Sequence, residues 1–187
     1  YMRVNGNKIS THIAFYNFGS AGQMELNNQV GELNVDDVLA PQIFFCDNST
    51  AVAVRTDGFT VFSGSQSPKE KKTVKFDQEI ISTFHHGKRI GFVFDGGDSG
   101  HKYLMKVYNT GGKNTMQKYF DLQYNSITLQ KDKIVLFNEK EFAIYKLNGQ
   151  KTFQGKYRKP IQNVLSIRGF RKYMVITEDS ADLIRLG

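Results

Sequence analysis

Between Lys133 and Gly155 the chain reads Ile134-Val135-Leu136-Phe137, then Asn138-Glu139-Lys140, then Phe142-Ala143-Ile144-Tyr145, Asn148-Gly149, and Gln150-Lys151-Thr152-Phe153-Gln154. The apolar runs are short and rich in β-branched and aromatic residues, which specifies strands and not helices. Asn138 to Glu141 can join the first two runs as an antiparallel hairpin, and Asn148-Gly149 accepts φ > 0 ahead of the third. The first run has no apolar and polar alternation, so both of its faces are expected to be covered. The last run alternates and is polar, so burial is expected to fade from the start of the unit to its end. Small sheets packed face to face around an axis would give that gradient.

The rest of the chain resembles imperfect copies of this unit. Strand runs are expected at Tyr1–Val4, Lys8–Phe18 and Val30–Val35, with Asn5-Gly6 as a hairpin signal and Gly19 to Gly22 as a break. Complete units follow over residues 42–76, 80–120 and 124–155, and a partial one over 161–187 matches the partial one over 1–36. Tyr16, Phe62, Tyr108 and Tyr145 hold comparable places in the third strand, 46, 46 and 37 residues apart, and Gly19, Gly64, Gly111 and Gly149 follow them. A period near 40 with four strands per repeat specifies an all-β β-propeller of four-stranded antiparallel blades; a β-sandwich is the competing fold. The expected architecture is one domain over residues 1–187 with about three complete and two partial blades: an incomplete propeller, or a fragment of a larger one, cut from a longer chain or completed by another copy.

The 187 residues are 40% hydrophobic and 13% aromatic without Trp, a folded composition. The net charge of +7 permits anionic partners. Its densest groups, Lys69/Lys71/Lys72/Lys75, Lys156/Arg158/Lys159 and Arg168/Arg171/Lys172, read first as solvated strand edges. Cys46, the single cysteine, lies in the apolar run Ile43-Phe44-Phe45-Cys46 and reads as a small core residue. No run has the length of a transmembrane helix and no signal peptide is present, while a start at Tyr1 is expected of a fragment.

Chemistry-bearing motifs are sparse. His85-His86 reads as a turn pair after Phe84, and His12 and His101 fall in no motif. Asp95-Gly96-Gly97-Asp98-Ser99-Gly100 has oxygen ligands but neither the spacing nor the terminal Glu of an EF-hand, so it reads as a long hairpin turn. Asp47-Asn48-Ser49 and Glu178-Asp179-Ser180 are turn clusters of the same kind. There is no nucleophile elbow, phosphate loop or dinucleotide fingerprint. Catalytic, cofactor-binding and metal residues are therefore assigned to none, and no cofactor is expected. The four repeated aromatics read as packing between blades, in preference to a stacking surface for bases or sugars.

Ile13-Ala14-Phe15-Tyr16-Asn17-Phe18-Gly19 within Lys8–Gly22, Asp57-Gly58-Phe59-Thr60-Val61-Phe62-Ser63-Gly64, and Ile144-Tyr145-Lys146-Leu147-Asn148-Gly149 within Glu141–Gly155 resemble the C-terminal half of a bacterial domain-of-unknown-function family, family 5711. The resemblance spans nearly the whole chain. It implies a WD40-like or quinoprotein-like propeller of seven or eight blades, extracytoplasmic and tethered to the membrane of Gram-positive bacteria by one N-terminal helix. The upstream blades and that helix are missing here, as are the Gly-His and Trp-Asp signatures of true WD40 repeats. No catalytic motif carries over.

The functional expectation is a non-catalytic binding or scaffolding module that recognises a protein or cell-envelope component through loops at one end of the blades. Self-association through open blade edges is a further expectation. The alternatives are an enzyme or cation-dependent propeller whose active residues lie in upstream blades, and a basic nucleic-acid-binding surface; no nucleic-acid motif supports the last.

Overall fold

Runs of four to nine residues rich in Val, Ile, Phe and Tyr, cut by Asn, Asp and Gly, are too short for helices and close their hydrogen bonds as meanders. The computed structural model describes residues 2–5, 8–17, 28–36, 38–65, 67–167 and 171–186. These residues form eighteen strands and no α-helix. Gly6, Phe18, the Gly19 to Gly22 break and Arg168 lie outside the described residues.

The chain divides into two compact units. The first comprises residues 1–80 with Asn109–Lys113. It holds β1 (Met2–Asn5), β2 (Lys8–Tyr16) and β3 (Gln29–Asp36) in one sheet, and β4 (Gln42–Asp47), β5 (Thr50–Arg55), β6 (Gly58–Ser63) and β7 (Lys69–Lys75) in another. The second comprises residues 81–108 and 114–187. Its sheets are β8 (Ser82–His86), β9 (Arg89–Asp95), β10 (Tyr103–Asn109) and β11 (Asn114–Phe120); β12 (Ser126–Gln130), β13 (Lys133–Phe137), β14 (Glu141–Lys146) and β15 (Lys151–Lys156); and β16 (Asn163–Ser166), β17 (Lys172–Ile176) and β18 (Ala181–Arg185). Every sheet is an antiparallel meander in chain order; three sheets are four-stranded, and the first and last along the chain are three-stranded. This is the expected propeller-blade architecture.

The turn chemistry explains the strand ends. Gly149 takes φ 83°, as Asn148-Gly149 foretold, and Asn148 Oδ1 accepts the Gln150 amide at 3.0 Å. Asn138 Oδ1 accepts the amides of Lys140 and Glu141 at 2.8 and 3.0 Å, which turns β13 into β14.

The four repeated aromatics share a structural device that the sequence does not announce. The register of the third strand against the fourth shifts between Phe15 and Tyr16, Val61 and Phe62, Val107 and Tyr108, and Ile144 and Tyr145. In each case the outer strand carries one extra residue, namely Val30, Lys71, Thr115 or Thr152. Thr115 Oγ1 donates to the Val107 carbonyl and Thr152 Oγ1 to the Ile144 carbonyl, both at 3.1 Å, so two blades pin the bulge identically.

Burial corrects the expected gradient. It peaks in the second and third strands: β5 is buried throughout, and Ile134–Phe137 and Phe142–Tyr145 are buried, whereas β12 is mostly half-buried. The first strand pairs on one side only and is itself a sheet edge. For the same reason Ile43 and Phe45 of β4 are exposed, Phe45 by 70%, despite their apolar run. Cys46 is half-buried and sits at a register irregularity between Phe45 and Asp47, so it is not a core residue.

In the second unit, Phe84, Val93, Met105, Val107, Met116, Phe120, Leu129, Ile134, Leu136, Ala143 and Tyr145 form the layer between the β8–β11 and β12–β15 sheets. Val135, Phe137, Phe142 and Ile144 form the next layer with Val164, Tyr173 and Val175. In the first unit Ile13 and Phe15 pack on Ala51, Ala53 and Phe62. Phe62 and Tyr145 therefore fill layers between blades, while Tyr16, in the first sheet, is 54% exposed. Gln130 ties neighbouring first strands, donating through Nε2 to the Val164 carbonyl at 2.8 Å and accepting the Ser166 amide at 2.5 Å.

Candidate functional site

The loop end of the second unit contains a hollow of about 560 Å³. Antiparallel order brings its parts together: the β9–β10 loop delivers His101 and Lys102, the β11–β12 connector delivers Asp121 and Gln123, and the β13–β14 turn delivers Asn138. Lys118, Glu141, Lys151 and Gln154 complete its polar wall.

Asp121 is the anchor of the groove. Its Oδ2 lies 2.9 Å from His101 Nδ1, and its Oδ1 accepts the Lys102 amide at 3.0 Å. The His101 ring stacks on Tyr119, with centroids 5.7 Å apart and planes 20° apart. Hydrogen bonding from His101, and then from the Lys102 amide, holds the Asp121 carboxyl below the usual carboxylate range. Tyr145 is 2% exposed and packs 6.5 Å from Phe120. Burial, and then the negative charge of Asp121, pushes its phenol above the ordinary value. Asn138 Nδ2 donates to the Gln123 carbonyl at 2.5 Å, and Lys151 Nζ donates to Gln154 Oε1 at 2.7 Å. The result is a wall of cations, amides and two carboxylates, Asp121 held in place and Glu141, suited to hydrogen bonding and ion pairing with a polar ligand.

Other flagged residues lie elsewhere. His85 and His86 are the last residues of β8, opposite Ile90 and Arg89, and the turn follows them; the turn-pair expectation is corrected by one hydrogen-bonded ladder step. Burial, with the neighbouring His86 second, lowers the His85 pKa. Asp95 Oδ1 accepts the Gly97 amide at 2.8 Å, and Gly97–Ser99 makes a 3-10 turn, which gives the loop its hairpin form. His12 Nδ1 sits 2.6 Å from Asn34 Oδ1. Among the described residues no group of three or more His, Cys, Asp and Glu is placed to hold a metal ion. The His101–Asp121 pair was missed in the sequence because its members are 20 residues apart and in different loops.

The family described as "Family of unknown function (DUF5711)" matches residues 1–186. The chain belongs to this family. No curated protein matches this DUF5711 chain. Among solved structures it is similar to the computationally designed Ika4 protein, at 11% identity and TM-score 0.51, over 78% of this chain and 89% of Ika4. It is similar to BBS1N, crystallised in complex with ARL6DN, at 11% identity and TM-score 0.51, over 84% of this chain and 53% of BBS1N. Sqt1 of Saccharomyces cerevisiae matches at 10% identity and TM-score 0.50, over 73% of this chain and 41% of Sqt1. The DUF5711 chain thus spans about half of BBS1N. These structural neighbours are propeller-like proteins, and at such identities the likeness concerns the fold alone. No helix among the described residues is long and apolar enough to cross a membrane.

Proposed function

We propose that this chain is a non-catalytic binding module that holds an acidic, extended protein segment in the groove between the β8–β11 and β12–β15 sheets. The observation that carries the reading is the groove wall: Lys102, Lys118 and Lys151 stand around a hollow of about 560 Å³, with hydrogen-bonding amides at Gln123, Asn138 and Gln154. A hollow of that size takes a few residues of a peptide. The lysines would steer a carboxylate-bearing segment, and the amides would fix its backbone. BBS1N, of similar fold, was crystallised with a protein partner, which supports the reading by analogy only. An extracytoplasmic, membrane-tethered setting belongs to the same proposal and rests on the family resemblance; a protein of the cell envelope is then the natural partner.

The test is fluorescence anisotropy with labelled Glu-rich and neutral peptides of equal length. Selective, salt-sensitive binding of the Glu-rich peptide, lost in a Lys118→Glu/Lys151→Glu variant, is expected. Equal binding of both peptides, or retention of random duplex DNA in preference to either, overturns it.

A further inference from the structure

Glu141 opens β14, and its amide and carbonyl both bond to Asn138, so the β13–β14 turn fixes its backbone. Successive residues of a strand point to opposite faces. Ala143 and Tyr145 belong to the layer against the β8–β11 sheet, whereas Phe142 and Ile144 belong to the layer on the other side. Glu141 therefore projects with Ala143 and Tyr145, into the groove. There it lines the hollow of about 560 Å³ and two that adjoin it, of about 540 and 500 Å³; among the described residues it is the one that all three share.

The two carboxylates of the groove differ in one respect. Asp121 is already engaged by His101 and by the Lys102 amide. The Glu141 side chain is half-buried and, among the described residues, accepts no hydrogen bond and joins no salt bridge. Lys156 stands directly opposite it in the ladder, yet the Lys156 side chain is exposed and forms no salt bridge with it. A ligand that covers Glu141 without offering a partner loses affinity, because the charge is then desolvated and unpaired. A ligand that brings a cation gains a charge-assisted hydrogen bond instead. The groove thus attracts acid through its lysines and rejects it at one point.

The ladder sets the spacing of the two preferences. Lys151 pairs with Tyr145 and Lys156 with Glu141, so Glu141 and Lys151 are separated by four residues of β14, or ~13 Å of strand. An extended segment lying along the groove advances by the same step per residue.

We infer that Glu141 is the specificity-determining residue of the groove, and that the segment it selects carries a basic side chain about four residues from the acid that meets Lys151. The inference rests on the function proposed above and narrows the ligand from an acidic segment to a bipolar one. Arginine fits best, since its planar fork can engage both carboxylate oxygens.

Fluorescence anisotropy tests it with labelled peptides of equal length, each an acidic cluster joined to a run of alanines, in both chain orders. In each member of the series one alanine is replaced by Arg, from beside the cluster to about six residues away. Arg at a spacing of about four is expected to tighten binding about tenfold over the Arg-free parent. Glu141→Gln abolishes that gain and binds the parent at least as tightly as the native chain does, while Glu141→Asp keeps part of the gain. Both variants retain the backbone bonds to Asn138, and circular dichroism verifies that they fold. A gain that survives Glu141→Gln, equal gains at every spacing, or no gain beside a parent that binds overturns this inference and leaves the groove reading standing. Failure of every peptide to bind the native chain overturns both.

Discussion

Thr152 Oγ1 donates to the carbonyl of Ile144 at 3.1 Å across the bulge that shifts the register of β14 against β15. This bond holds the outer strand at the point where the ladder has lost a step. Thr152→Val keeps the shape and removes the donor, so it is expected to cost about 1 kcal/mol in urea unfolding. Thr152→Ser should cost less. Thr115→Val, on another sheet, should lower stability by a similar amount, and the two losses should add.

Gly91 faces Phe84 directly across β8 and β9. A Cβ at Gly91 would lie 2.0 Å from Phe84 Cζ. Phe84 is 4% exposed and belongs to the layer between sheets, so its ring has little room to move. Gly91→Ala is expected to destabilise by about 3 kcal/mol. Adding Phe84→Leu should recover part of that loss, a departure from additivity visible in a double-mutant cycle.

Arg55, 8% exposed, donates through Nε and Nη2 to the two carboxylate oxygens of Asp57 at 2.7 and 2.9 Å. Hydrogen bonding from Arg55 is the main reason the Asp57 pKa lies below its ordinary value. A lowered folded-state pKa contributes stability that is complete above the unfolded value, about 3.9, and is lost as pH falls through the folded value. The stability gap between the native chain and Asp57→Asn should therefore hold constant from about pH 7 to pH 5 and close below about pH 4. Chemical denaturation across that range measures it.

His101 is the first cause of the lowered Asp121 pKa. In a carbon-detected NMR titration, the Asp121 carboxyl should titrate below the ordinary range in the native chain and move up toward about 3.9 in His101→Ala. An unmoved midpoint would mean that the Lys102 amide alone sets it.

The blades were legible because strand and turn signals are local. The run Ile134–Phe137 and the pair Asn148-Gly149 each report their own backbone, and both behave as read. What escaped depends on neighbours. Ile43 and Phe45 look like core but lie on an edge strand, and their exposure follows from a place in the sheet that four apolar letters do not encode. Cys46 lies on the same edge strand and is half-buried. The groove was illegible because Asp121 gains meaning only when the β9–β10 loop brings His101 to it. Recurrence could have exposed the bulges: each falls at one of the aromatics that mark the repeat.

The bulges also bear on how this molecule survives in concentrated solution. The outer strands β3, β7, β11 and β15 each carry a surplus residue at the same level of the blade. A bulge kinks its strand and sharpens the local twist, so a straight strand from a stranger could not zip along that rim for its full length. The extra residue thus shortens the straight stretch of rim that a foreign strand could pair with.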